Sequence, residues 1–272
     1  MKHLFLSIGS AAILSGFGVS LAAAEPVFNR IASWPVSSNL PAGKDPATET
    51  SAEIIEVAQE GTLLVYTDSL LNSVGMIDIT DPKTPKPAGI IELGGEPTSV
   101  AIVGNRAMVV VDTTMDRAAP AGHLAVVDLA SKTVVKKCDL RGQPDSVAVS
   151  PDKTLLVVAI ENERDESLRG GEIPQLPPGN VTIFSLSGGN LDCGERKVVD
   201  LTGLAHVAGS DPEPEFVDVN AANEIVVTLQ ENNHLVVIDG RTGAIINHFS
   251  AGTVDLDNLD VDKDGALSFT GS

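Results

Sequence analysis

The feature that most constrains the fold is an internal repeat. Glu53–Val57 (EIIEV) followed by Thr62–Tyr66 (TLLVY) aligns without a gap on Asp145–Val149 (DSVAV) followed by Thr154–Val158 (TLLVV). Glu215–Val219 (EFVDV) with Glu224–Thr228 (EIVVT) keeps the same register, and Thr98–Ile102 (TSVAI) with Arg106–Val110 (RAMVV) fits after one deletion. Asp257–Val261 (DNLDV) with Ala266–Phe269 (ALSF) begins a fifth copy. The copies start at 53, 98, 145, 215 and 257, so the intervals are 45, 47, 70 and 42 residues. Three of these are close to the length of one four-stranded propeller blade, and the 70-residue interval holds an insertion.

Each of the first four copies continues with two more β-branched runs. The third runs are Val74–Asp78, Leu124–Asp128, Val181–Ser185 and Leu235–Asp239. The fourth are Gly89–Leu93, Thr133–Lys136, Lys197–Leu201 and Ala244–Asn247. Gly, Pro, Asn and Asp punctuate them, and no window sustains a helical period. Strands apolar on both faces suit sheets that pack against a neighbour on each side. The expected fold is therefore all-β, a β-propeller of four-stranded antiparallel blades with about four and a half blades present. An immunoglobulin-like sandwich is the competing fold, and it predicts no in-register repeat. Phe28–Trp34 reads as an outer strand meant to close the ring beside the last blade. With the fifth copy stopping after two strands, the expectation is the N-terminal part of a longer propeller, over 25–272, and otherwise an open ring.

The first 24 residues read as a secretory signal: a basic start at Lys2, an apolar run from Leu4 to Leu21, and cleavage after Ala24. An uncleaved membrane anchor is the alternative for the same stretch; no later segment is long and apolar enough to span a membrane. The expected location is periplasmic or secreted. Of 272 residues, 37 are acidic and 18 basic, a formal charge of −19, which argues against a surface built to displace phosphate counterions from nucleic acid. Anionic lipid is disfavoured for the same reason, and cations are the favoured charged partners. In an exported chain the two cysteines, Cys138 and Cys193, are read as a disulfide, bridging neighbouring blades, rather than as two thiols.

Strand direction decides which loops share a face. Consecutive strands are antiparallel, so first-strand starts and second-strand ends lie at one mouth of the ring. That mouth collects Glu53, Asp145, Glu215 and Asp257 from the starts, and Asp68, Asp112, Glu161–Glu163 and Gln230–Asn233 from the ends. The insertion from Arg164 to Gly179, with Asp165, Glu166 and Glu172, leaves from it too. Crowded carboxylates repel unless a cation neutralises them. Calcium takes six to eight oxygens from carboxylates, amides and carbonyls. The candidate Ca²⁺ ligands are Glu161, Asn162, Glu231 and Asn232, with Asp145 and Glu215 behind them; a solvated acidic face is the plainer alternative. Asp260–Gly265 starts like an EF-hand loop, but Gly271 stands where a bidentate Glu is required, so it reads as a turn. No nucleophile elbow, phosphate-cradling glycine loop or zinc-protease helix occurs. His123 and His234 stand at third-strand starts, and His206 and His248 stand alone; all four read as structural.

Asp45–Ile55, Gly95–Val100, Gly142–Asp152, Ile160–Glu166, Glu215–Ile225 and Gln230–His234 resemble exported bacterial proteins described as choice-of-anchor I propellers or phytase-like esterases, some labelled alkaline phosphatases. The resemblance runs over about Val27 to Ser272; the GxPxSVAVSPD stretch by itself is shared with YVTN-type propeller repeats. It implies a propeller that binds a cation and an unidentified small-molecule or protein ligand. It also implies the alternative of a Ca²⁺-dependent phosphoesterase, in which the carboxylates hold the ion that bridges substrate phosphate. A lactonase-like hydrolase is a third, weaker reading.

Overall fold

The computed structural model describes residues 29–261 and 265–269; the signal-like segment with Ala24, and Asp262–Asp264 of the EF-hand-like stretch, lie outside them. Four antiparallel sheets follow one another along the chain, each with its strands in sequence order. The first holds β1 (Ala52–Ala58), β2 (Leu63–Asp68), β3 (Ser73–Asp78) and β4 (Lys86–Glu92). The second holds β5 (Glu96–Val103), β6 (Arg106–Asp112), β7 (Gly122–Asp128) and β8 (Thr133–Asp139). The third is β9 (Pro144–Val149), β10 (Leu155–Ile160), β11 (Asn180–Ser185) and β12 (Arg196–Asp200). The fourth is β13 (Pro214–Val219), β14 (Glu224–Leu229), β15 (His234–Asp239) and β16 (Ile245–Ser250). First strands begin within two residues of the repeat starts at 53, 98, 145 and 215, and pack in the order β1, β5, β9, β13. Among the described residues the fold is a β-propeller of four blades whose sheets do not close into a ring.

Period-2 alternation explains the packing. In β6, Val109 and Val111 join Val65, Val74 and Met76 of the first blade, while Met108 and Val110 join Leu156, Val158 and Phe184 of the third. In β10 the same split repeats: Leu156, Val158 and Ile160 face the second blade, and Leu155, Val157 and Ala159 face Val217, Ile225 and Val236 of the fourth. Inner blades thus read as continuous apolar runs because each face has its own partner. The outer blades are covered on one face. On the first, the short 3-10 helix Val36–Asn39 supplies buried Asn39, which donates to Tyr66 Oη at 3.1 Å and to the Met76 and Gly89 carbonyls at 2.9 Å, and accepts from the Gly89 amide at 3.0 Å. Tyr66 lies across Gly75, its partner on β3, where any β-carbon would overlap the ring.

Two expected strands are not formed by the described residues. The described residues of the fifth copy form no strand, and Val261, Leu267 and Phe269 stay exposed. Asn29–Trp34, the described part of the expected closing strand, is likewise not a strand. Cys138, on β8, and Cys193, before β12, are joined by a disulfide with Cα atoms 5.3 Å apart, which ties the outer rims of the second and third blades together.

Candidate functional site

A β-bulge sits at the same place in every blade. The pairing of first and second strands slips by one residue between Ala52 and Ile55, between Pro97 and Ser99, between Pro144 and Val147, and between Pro214 and Val217. A bulge leaves one extra residue unpaired and re-aims side chains. The residues inside the four bulges include Glu53, Thr98, Asp145 and Glu215, the positions that head the repeat. Freed amides find side-chain acceptors: Ile54 N–H donates to Thr67 Oγ1 at 3.1 Å, and Phe216 N–H to Thr228 Oγ1 at 3.2 Å.

Between the third and fourth blades the bulges deliver Asp145 and Glu215 to the same place that Glu161, just past β10, and Glu231, just past β14, reach from the loops. Burial, then the carboxylates of Asp145, Glu215, Glu213 and Glu231, push Glu161 up to about 8. Burial and Glu231 raise Asp145 to about 6. Burial, followed by Glu231 and Asp145, takes Glu215 to about 7, and a hydrogen bond between the Glu215 and Glu231 carboxyls helps hold the proton. Four of the six expected ligands are therefore one electrostatically coupled group.

Asn162 and Asn232 have another task. Asn162 Oδ1 accepts the Gln143 amide at 2.9 Å, and its Nδ2 donates to the Pro177 and Pro178 carbonyls at 3.2 and 3.1 Å. Asn232 repeats the pattern one blade on, accepting the Glu213 amide at 3.0 Å and donating to the Val207, Ala208 and Asp211 carbonyls at 3.1 Å. Asn162 thus ties the segment entering the third blade to the insertion after β10, and Asn232 ties the loop after β14 to the 207–213 segment entering the fourth blade.

Glu213 and Arg164 complete the site. Arg164 stands 2.9 Å from Glu213 and 3.1 Å from Asp211, both almost fully buried. Arg117 pairs with Glu163 across the second and third blades. Arg117, Glu163, Arg164 and Glu213, with Asp165 and Glu231, line a cleft of about 470 Å³. The alternating run Asp211-Pro-Glu213-Pro-Glu215 is the sequence signal that could have drawn attention to Glu213. Among the described residues, no three His, Cys, Asp or Glu side chains converge as a finished metal cage. No helix among them is long and apolar enough to cross a membrane.

The histidines are not all isolated. His234 Nε2 lies 3.0 Å from His248 Nδ1, because the register pairs His234 with Ser250 and Val236 with His248, making the two histidines diagonal neighbours. Burial, then His248 and His206, lower the pKa of His234. His123, also lowered by burial, has an unpartnered buried Nε2.

The model of the choice-of-anchor I domain matches residues 53–270. This chain belongs to the choice-of-anchor I family. No curated relative matches it. Among solved structures, the choice-of-anchor I domain is similar to the β-propeller domain of Cps50 (Swd1), given as Myceliophteria thermophila, with 13% identity and a TM-score of 0.51. The alignment covers 75% of this chain and 57% of that one, so the chain spans little more than half of its length; the likeness shows the fold alone. Kuenenia stuttgartiensis hydrazine synthase also matches, at 16% identity and a TM-score of 0.41, over 70% of this chain and 64% of that one.

Proposed function

We propose that this choice-of-anchor I domain is an exported binding and scaffold propeller whose acidic mouth, between the third and fourth blades, takes a cation, calcium by its donor chemistry. The observation that carries the reading is the coupled set of Asp145, Glu161 and Glu215 beside Glu231: burial, then mutual carboxylate repulsion, raises Asp145 to about 6, Glu215 to about 7 and Glu161 to about 8. The available donors are oxygens, as a hard cation requires, and the charges they leave uncompensated are what a divalent ion would neutralise. They are not assembled as a cage, so a cation would be held chiefly by charge. Asn162 and Asn232 support the mouth and are no part of its ligand set in this reading. The disulfide and the signal-like first 24 residues support export to an oxidising compartment.

A calcium-dependent phosphoesterase would bring phosphate to the same place. The cationic side chains beside the mouth, Arg117 and Arg164, are already paired with Glu163 and with Asp211 and Glu213, which leaves them poorly placed to clamp a polyanion. The deciding experiment is a CaCl₂ titration of chelator-treated protein at pH 7.5, followed by thermal unfolding and calorimetry. Saturable binding with a raised Tm, lost in Glu161→Gln, is expected, with no turnover of p-nitrophenyl phosphate or phytate. An unchanged Tm in excess calcium removes the cation site. Turnover abolished by Glu161→Gln would establish the hydrolase instead.

A further inference from the structure

We propose that His234 and His248 anchor a second, chemically different site, for a borderline divalent metal ion such as Zn²⁺, Cu²⁺ or Ni²⁺, on the outer edge of the fourth blade. The pair presents Nε2 of one ring and Nδ1 of the other 3.0 Å apart, with ring centroids separated by 5.2 Å and the planes tilted by 41°. Two imidazoles on one tetrahedral ion, each about 2.0–2.1 Å from the metal, have donor atoms roughly 3.3 Å apart. The spacing is within a few tenths of an ångström of that of a chelate; metal binding displaces the bridging hydrogen bond and turns the two rings so that both lone pairs face one ion. Without a metal, the contact between the two rings is a hydrogen bond from one to the other.

The surroundings favour the chelate. Among the described residues, neither ring has a carboxylate or carbonyl hydrogen-bonded to it, so no protein group assigns the tautomers. His234 is buried to 5% exposure at the head of β15, which fixes one ligand, whereas His248 is exposed on β16 and leaves the ion accessible. A third imidazole is held in the vicinity. Asn232, two residues before His234, ties down the loop through the Val207 and Ala208 carbonyls, immediately after His206. His206 does not yet stand at ligand distance, since no three ligating side chains converge here either. It is the candidate third ligand, with water in the remaining position. Imidazole donors select this group of metals, while the all-oxygen mouth suits calcium, so the two sites discriminate by softness.

The test uses the full chain with any affinity tag removed. ZnCl₂, CuCl₂ and NiCl₂ are each titrated at pH 7.5 by calorimetry, and Cu²⁺ binding is also followed by its imidazole-nitrogen hyperfine signal. The expected result is one saturable site, weakened at least about tenfold in His248→Gln, since even supporting residues of metal sites cost that much. His248→Gln alters an exposed side chain, and its metal-free melting curve checks folding directly. Glu161→Gln should leave zinc affinity unchanged, which separates this site from the acidic mouth. Absence of saturable binding of all three metals, or wild-type affinity in His248→Gln, overturns the proposal. Wild-type affinity in His206→Gln would strike His206 from the ligand set.

Discussion

Replacing Glu161 by Gln should stabilise the protein at alkaline pH, the opposite of what loss of a buried side chain's partners usually does. In the folded state burial and the neighbouring carboxylates raise Glu161 from 4.5 to about 8. A folded state that binds the proton more tightly than the unfolded chain loses stability as pH rises between those two values. At about 1.36 kcal/mol per pKa unit the unscreened ceiling is roughly 5 kcal/mol. Glu161 retains contact with solvent and shares its repulsion with Asp145 and Glu215, so a discounted cost of ~1–2 kcal/mol at pH 8 is expected. Gln keeps the shape and the neutral charge of the protonated acid, so it removes this cost at every pH. For a chain of this size that corresponds to a Tm gain of about 2–8 °C at pH 8 and almost none at pH 5. Thermal unfolding in chelator-containing buffer from pH 5 to pH 8.5 reads both slopes. Wild-type stability that is flat or rising over that range, or a Gln variant less stable than wild type at pH 8, would refute the coupling on which the site rests.

Three further outcomes follow from the geometry. Cys138→Ser should lower stability by about 2–5 kcal/mol, because the bridge closes a sequence separation of 55 residues, and reductant should reproduce the loss in the wild type. Asn39→Ala removes the four hydrogen bonds that cover the first blade and leaves the Tyr66 hydroxyl unpaired; about 2–4 kcal/mol should be lost in urea unfolding. Asn232→Ala leaves the Glu213 amide without its acceptor and frees the loop around Val207; a loss of about 1–3 kcal/mol and new limited proteolysis between Thr202 and Ser210 are expected.

The blades were legible in the amino-acid order because period-2 alternation on both faces is a packing instruction: Leu155 to Ile160 can only be so uniformly apolar if two sheets receive it. Strand direction alone places Asp145 beside Glu161, and the two carboxylates do act on each other. What could not be read was orientation. The bulges that carry Asp145 and Glu215 leave no mark in composition, and the clamp role of Asn162 and Asn232 depends on carbonyls of the segments 177–178 and 207–211, whose paths are set by tertiary structure. His234 and His248 were read as unrelated because a two-residue offset across β15 and β16 is visible only once the strands are paired. The fifth copy carries the repeat's pattern without strands among its described residues, because pattern is a local property and burial is not.

The alternating use of strand faces has a dynamic consequence. Blades two and three are covered on both sides, and blade four on one, with β16 solvent-exposed along its length. Such a stack is nearly one-dimensional, so opening a flanking blade uncovers a single interface whereas opening a middle one uncovers two. In this chain amide deuteration should accordingly be fast in exposed β16, with β6 and β10 the last to exchange, and an ion held by His234 and His248 would slow exchange across β15 and β16 most.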